Sequence, residues 1–186
     1  MTNYLSRAKT FFVLLIVTLG FLGAQQAVAT DFVLLEQASR KELKSLYDGS
    51  PGLKALGSKA KAVLIFPKVT KAGLIIGGQS GDGILLRNDT VVGHYNTAAV
   101  SLGMQAGVQS FGYALFFMSD KVLTEFQNSE NFQIGVGPTI VIVDAGAAKD
   151  INTLTAKADV YGTIFDQKGL MAGIGLAGTK ITKLKS

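Results

Sequence analysis

The sequence predicts a mainly β protein of the α+β class: a compact, glycine-rich antiparallel β barrel or strongly curved sheet with helices at its amino end. Beyond residue 61, apolar and polar residues alternate with the two-residue period of strands, whereas helical periodicity dominates residues 31–57. The chain also has 22 glycines among 186 residues, many of them inside the alternating segments. Glycine weakens a strand by about 0.5–1 kcal/mol relative to alanine, so this concentration indicates bends, bulges or close backbone approach.

Residues 1–29 have the three-part layout of a secretory signal peptide. Arg7 and Lys9 provide the basic start, residues 11–24 form an apolar run, and Ala27-Val28-Ala29 places small residues at both positions of a cleavage site. A transmembrane helix needs about 20 apolar residues, and this apolar run is shorter. Cleavage after Ala29 is therefore favoured over a retained anchor. We therefore expect a single domain over residues 30–186, located in the periplasm or secreted.

Charge and cysteine content narrow the function. The chain carries 18 basic and 13 acidic residues, a net charge of +5, and two of the basic residues lie in the predicted leader. So small a surplus permits attraction to an anionic surface without requiring nucleic acid. There is no cysteine, which excludes disulfides, thiol catalysis, cysteine-ligated zinc and a lipid-modified cysteine.

Residues 31–47 are predicted to form an amphipathic helix, with its apolar residues on one face and Lys41 and Lys44 opposite. The apolar face consists of Phe32, Leu35, Leu43, Leu46 and Tyr47. Ser50 and Pro51 then favour a second helix, with serine as the cap and proline in the first turn. Gly57 is expected to end this second helix.

Two kinds of strand are expected after residue 61. Segments that are apolar on both faces should be the most buried, and these are residues 62–66, 74–76 and 114–118. Segments with clean alternation should place one face on the core, and these are residues 100–109, 132–137, 154–160 and 170–177. Residues 120–126 are expected to form a short helix between strands.

No motif indicates catalysis. Residues 173–178 fit a dinucleotide-binding glycine pattern, but they lie within an alternating strand. Residues 77–83 resemble a phosphate-binding loop without its lysine and hydroxyl residue, so a hairpin turn at residues 80–83 is favoured. His94, the only histidine, has no partner at metal or triad spacing and is expected at a strand end or in solvent. The sequence therefore predicts no enzyme, no cofactor and no metal site, with a hydrolase of unrecognised site as the weaker alternative.

Several blocks of the sequence together resemble the SYLF domain family. The first is Ala60-Lys61-Ala62-Val63-Leu64-Ile65-Phe66-Pro67, followed by Lys71-Ala72-Gly73 and residues 77–83. Later blocks are Gly107-Val108-Gln109, residues 117–126, and Lys168-Gly169-Leu170-Met171-Ala172-Gly173 with Gly178. Their order and spacing cover roughly residues 43–182. After Gly93 the family usually has an aromatic residue, serine and proline, where this chain has His94-Tyr95-Asn96-Thr97.

This resemblance implies a compact glycine-rich β barrel with flanking helices. It also implies binding to anionic lipids, including phosphoinositides, helped by an amphipathic amino-terminal helix. Some eukaryotic relatives bind actin filaments as well. For an exported chain we expect neither phosphoinositides nor actin as the ligand, and the expected partner is an anionic phospholipid or membrane surface.

The candidate contacts follow from the helix and its basic neighbours, because lysines near an amphipathic helix attract anionic headgroups at about 1 kcal/mol each close to a charged surface. The headgroup candidates are Lys41, Lys44, Lys61, Lys68 and Lys71, of which Lys61 and Lys71 match basic positions of the resemblance. The apolar membrane contacts are Phe32, Leu35, Leu43, Leu46 and Tyr47, unless that face packs on the barrel. The rival hypothesis is an envelope structural or interaction module that binds a protein or polymer through an exposed sheet surface.

Overall fold

The computed structural model describes residues 31–73, 76–102, 107–143, 158–169 and 176–185. The chain divides into two compact units, Met1–Leu34 and Leu35–Ser186. Of the first unit only residues 31–34 are described, and they are helical. Several predicted segments lie outside the described residues: the signal peptide, strand residues 74–75, 103–106 and 154–157, and residues 170–175 of the last predicted strand.

Three helices are described: α1 over residues 31–49, α2 (Pro51–Lys59) and α3 (Asp120–Asn128). The predicted start of α2 is confirmed, since the Ser50 hydroxyl accepts a hydrogen bond from the Leu53 amide and Pro51 lies in the first turn. The predicted end at Gly57 is wrong, because α2 continues to Lys59. A Cβ at Gly57 would lie 2.1 Å from the Tyr47 hydroxyl oxygen, so this glycine makes room for a side chain of α1.

Eight strands form a single sheet in the order β5-β8-β3-β2-β1-β4-β7-β6. The strands are β1 (Ala62–Gly73), β2 (Ile76–Arg87), β3 (Thr90–Leu102), β4 (Gly107–Phe117), β5 (Phe132–Gln133), β6 (Ile140–Ile142), β7 (Val160–Gly169) and β8 (Lys180–Lys183). Neighbouring strands are antiparallel except β6 and β7, which are parallel. The end strands β5 and β6 are not paired with each other in the described part, so the sheet curls into a half-barrel without closing. The predicted fold class, a strongly curved glycine-rich sheet with amino-terminal helices, is confirmed.

Several strand boundaries differ from the predictions. Residues 100–109 are not one strand, because they contain the end of β3 and the start of β4, which run in opposite directions. The strand predicted over residues 132–137 is confined to Phe132–Gln133, because Gly135 and Gly137 take φ values of +93° and +98°. These left-handed conformations turn the chain out of the sheet.

The hairpin turn predicted at residues 80–83 is also wrong, because those residues lie inside β2. The turn between β2 and β3 is formed instead by Asn88 and Asp89, whose φ values are 48° and 60°. Two successive positive φ values are typical of the tight turns that match strand twist. Gly81 and Gly83 serve close approach, since a Cβ at either would lie within 2.4 Å of a backbone oxygen of β1.

The sheet has a core on each face. On the inner face, the cluster that includes Leu64, Phe66 and Tyr113 joins residues from both ends of the sheet with Phe126 of α3. On the outer face, the other cluster packs α1 and α2 against the sheet. Residues 62–66 and most of residues 114–118 are buried as predicted, whereas Ile76, predicted to be among the most buried, is 67% exposed.

Candidate functional site

The apolar face of α1 lies largely against the sheet. Leu43 is only 7% exposed and belongs to the outer cluster, on which Leu35, Leu46 and Tyr47 also pack. Phe32 belongs to the amino-terminal unit that ends at Leu34. The structure therefore shows the alternative that the sequence left open, in which this face of the helix packs on the sheet. It holds for Leu35, Leu43, Leu46 and Tyr47.

Polar contacts fasten α1 to the hairpin formed by β2 and β3. The Arg40 guanidinium donates to the Asp89 carbonyl oxygen at 2.9 Å, and the His94 Nε2 atom lies 3.2 Å from a Glu36 carboxylate oxygen. The His94 side chain is 14% exposed and lies within β3. The prediction of a strand-end or solvent-facing histidine is therefore wrong, and the imidazole has a structural partner in α1.

The Tyr47 phenol of α1 interacts electrostatically with Asp89, which lies in the turn of the same hairpin. Burial first, and then the negative charge of Asp89, raise the pKa of the Tyr47 phenol from 10.0 to about 12. Between pH 10 and about 12 the unfolded chain has released this proton and the folded chain still holds it, so the free energy of unfolding falls as pH rises. We expect Tyr47→Phe to weaken this alkaline destabilisation and to change stability little at neutral pH.

Urea unfolding of both proteins from neutral pH to pH 11 measures that difference. Burial also raises the pKa values of Tyr95 and Tyr113, so part of the alkaline slope remains in the variant. Identical slopes in the two proteins would show that Tyr47 does not titrate differently in the folded and unfolded states.

The five candidate lysines do not form one patch. Lys41 and Lys44 lie exposed on α1, where Lys44 pairs with Asp48. Lys61 is 3.9 Å from Asp120, which also binds Arg87 at 3.0 Å.

The remaining two candidates lie in β1. Lys68 is exposed at the bulge of β1, and Lys71 is 7% exposed on the inner face of the sheet.

The outer face divides into a covered half and an open half. The covered half carries Ile65, Ile84 and Ala114 beneath the helices. Strand register places further rows of outer-face residues beyond it, each about 7 Å from the next. The first of the two rows described here is formed by Lys168, Ser110, Thr70, Ser80, Ala98 and Lys180, and we call it the lysine-flanked row.

The last outer-face positions are apolar and exposed. Val108, Ala72, Gly78 and Val100 are paired in register across β4, β1, β2 and β3. Ile76 lies two residues from Gly78 and so on the same face. We call Ile76, Val100 and Val108 the apolar trio; they are 67%, 80% and 65% exposed.

This end of the sheet has the reverse of the usual polarity. Polar residues on its inner face are buried, and the apolar residues on its outer face meet solvent. The buried polar residues are Lys71, Gln79 and Gln109, at 7%, 8% and 3% exposure. The sequence predicted Ile76 to be buried and Val108 to share one strand with Val100, so the trio was missed as a surface. Large exposed apolar side chains at one end of a sheet are typical of interaction surfaces.

Within the described residues, no three or more histidine, cysteine, aspartate or glutamate side chains are grouped so that they could hold a metal ion. Among the described helices, none combines the length and the apolarity that crossing a bilayer requires.

Residues 98–186 match the family model described as Ysc84, Las17-binding protein actin regulator. Over residues 98–186 this match confirms the resemblance to the SYLF family. No match to a curated protein was found.

Proposed function

With residues 98–186 assigned to the Ysc84 (SYLF) domain family, we propose that this protein is an exported, non-catalytic protein that binds anionic membrane surfaces peripherally. The export is to the periplasm or cell exterior, after cleavage of residues 1–29. The observation that supports membrane binding is that the side chains of the apolar trio, on the outer face of the sheet, are 65–80% exposed. The membrane contact we propose is therefore this end of the sheet, with α1 as part of the folded core.

The two rows match the depth of a membrane interface. Val100 and Val108 lie about 7 Å beyond the lysine-flanked row and Ile76 about 14 Å beyond it, and interfacial segments bury their apolar side chains about 5–10 Å into the headgroup and acyl boundary. When the trio enters that boundary, Lys168 and Lys180 reach the level of the lipid headgroups. Both lysines are exposed in β7 and β8, so their ammonium groups are available to anionic lipids.

The expected free energies of binding give the apolar trio and the two lysines separate roles. Full burial of one valine or isoleucine side chain contributes about 1.5–3 kcal/mol, whereas a lysine near an anionic surface contributes about 1 kcal/mol. The trio therefore supplies most of the binding free energy, and the lysines supply the preference for anionic lipid. Because Asp166 lies 3.4 Å from the Lys168 ammonium, Lys180 is the stronger of the two attractions.

Co-sedimentation with vesicles tests the proposal. The mature chain, residues 30–186, should bind anionic vesicles better than zwitterionic ones, and moderate salt should weaken that binding. The triple variant Ile76→Thr, Val100→Thr and Val108→Thr keeps the β-branched shape and should bind at least about tenfold more weakly, a loss of about 1.4 kcal/mol. Lys168→Gln with Lys180→Gln should reduce the salt dependence.

Two controls separate this surface from the others. Val92→Thr makes the same chemical change at the opposite end of β3, at a side chain that is 37% exposed, and should leave binding unchanged. Lys41→Gln with Lys44→Gln tests the contact predicted from the sequence for α1. If this pair abolishes binding and the triple variant binds like the unaltered chain, the membrane contact is the helix and the proposed surface is wrong.

A protein partner is the second candidate, because the family description names a Las17-binding protein and an exposed apolar surface also suits a protein interface. Such an envelope interaction module would bury the trio against a protein or polymer. Protein-free vesicles distinguish the two functions. If the mature chain binds no vesicle but the triple variant loses a partner captured from the envelope, the interaction module replaces lipid binding.

A further inference from the structure

A cleft lies between α1 and the sheet, at a place where two β-bulges flank β4. In β1, the two residues Pro67 and Lys68 oppose a single residue of β4. In β7, Asp166 and Gln167 likewise oppose a single residue of β4. Asp166 also has a φ value of 55°, a left-handed conformation that is uncommon outside glycine. Bulges re-aim side chains and are frequent beside functional sites, which draws attention to this cleft.

The cleft consists of two neighbouring cavities. The larger, of about 370 Å³, we call the charged cavity, and its lining includes Glu42, Lys68, Ser110, Asp166 and Lys168. The smaller, of about 200 Å³, we call the apolar cavity, and its lining includes Leu46, Leu53 and Phe165. Because Glu42 and Asp166 line both cavities, the two carboxylate residues lie at their junction. Small-molecule sites usually occupy about 300–1,000 Å³, so the cleft has the size of a ligand site.

The charged cavity is balanced in charge, but two of its charges are unpaired. Asp166 and Lys168 pair with each other at 3.4 Å. In the part of the chain that the structure describes, no oppositely charged group lies within salt-bridge distance of the Glu42 carboxylate or the Lys68 ammonium. Glu42 is half-buried, and a partly desolvated carboxylate without a partner favours an incoming cation. The charged cavity therefore offers one unpaired charge of each sign, next to an apolar compartment.

We infer that the cleft binds a free α-amino acid with an apolar side chain. The ligand ammonium donates to the Glu42 carboxylate, and the ligand carboxylate accepts from the Lys68 ammonium and the Ser110 hydroxyl. The ligand side chain enters the apolar cavity. A zwitterion provides a partner for both unpaired charges and leaves the net charge of the cleft at zero, whereas an amine or a carboxylic acid alone provides only one. This ligand goes beyond the proposed membrane binding and does not depend on it.

A series of related small molecules tests each part of this ligand. L-Leucine, titrated at constant ionic strength, should raise the thermal midpoint of the mature chain, because a ligand that binds only the folded state stabilises it. Glycine lacks the apolar side chain, isoamylamine lacks the carboxylate, and isocaproate lacks the ammonium. Each should bind at least about tenfold more weakly than leucine. The inference is overturned if leucine has no effect on the thermal midpoint, or if isoamylamine binds as tightly as leucine.

Two variants show whether leucine binds in the cleft. Glu42→Gln keeps the size of the side chain and breaks no ion pair, so the fold should keep its stability while leucine binds at least about tenfold more weakly. Lys68→Met should weaken leucine by at least about threefold, the smaller effect expected of an exposed charge, and should leave isoamylamine unaffected.

Glu125→Gln is the matched control, because it makes the same change at an exposed position of α3. It should bind leucine like the unaltered chain. If leucine stabilises Glu42→Gln as strongly as the unaltered chain, the ligand does not lie in this cleft and the inference is wrong.

Vesicle binding separates this site from the proposed membrane contact. Glu42→Gln should bind anionic vesicles like the unaltered chain, and the triple threonine variant should keep its response to leucine. Lys168 belongs both to the lysine-flanked row and to the charged cavity, so these variants leave it in place. A chain that responds to leucine but binds no vesicle would contradict the proposed function alone, and a chain that binds vesicles without a response to leucine would contradict the amino-acid site alone.

Discussion

Leu43→Ala is expected to lower the free energy of unfolding by about 3 kcal/mol, because truncating a buried leucine loses its transfer free energy and leaves a cavity. Leu43 is 7% exposed and packs in the cluster formed by the outer face of the sheet and α2. Urea unfolding at neutral pH measures the change. If Leu43 were instead a membrane contact, the variant would keep its stability and lose vesicle binding.

Leu34→Ala is the matched control for this result. The same leucine-to-alanine change falls in the same helix, but the Leu34 side chain is 57% exposed. Exposed substitutions away from special features usually change stability by less than about 0.5 kcal/mol. Since alanine has a higher helix propensity than leucine, equal losses at Leu34 and Leu43 would mean that the cost does not follow burial, and would contradict the assignment of the Leu43 side chain to the core.

Gly83→Ala is expected to cost about 3 kcal/mol as well, through overpacking. A Cβ at this position would lie 2.3 Å from the Ile65 carbonyl oxygen and 2.5 Å from the Phe66 ring. Because the nearest atom belongs to the backbone of β1, a central strand, a rotamer change alone cannot relieve this overlap. The expected result is a lower urea midpoint, because the added methyl group pushes β1 and β2 apart at Gly83.

Gly78→Ala provides the comparison within the same strand. The nearest atom to a Cβ at Gly78 is the Ala99 carbonyl oxygen at 3.9 Å, an ordinary contact distance. Alanine should therefore be neutral or slightly stabilising there, since glycine loses more backbone entropy on folding. Since alanine is favoured over glycine in a strand, equal losses in both variants would show that the cost does not come from the close approach at Gly83.

The sequence predicted the features that depend on neighbouring residues. Ser50 and Pro51 mark the start of α2 because a cap and a first-turn proline act within a few residues. Residues 62–66 are apolar on both faces, which indicated a strand covered from both sides, and the structure places helices on one side and the inner core on the other.

The candidate site depends on distant pairing, which a single sequence does not specify. A two-residue period shows which side chains share a face of a strand, but not which face is inside. Val100 and Val108 therefore looked like core residues of one strand. The reversal of direction between them, and the pairing of Lys71 with Gln79 and Gln109, follow from the register of the whole sheet.

The apolar trio is spread over three strands that are paired through β1, and this has a consequence for the kinetics of membrane encounter. An amphipathic segment that is disordered in water must fold as it inserts, and the entropy of ordering is then lost at the membrane. In this protein the strands that carry the trio are already ordered in the folded sheet, so binding to the membrane carries no such loss of conformational entropy. Docking should therefore proceed as a rigid-body collision, with unchanged far-ultraviolet circular dichroism and rapid, reversible release.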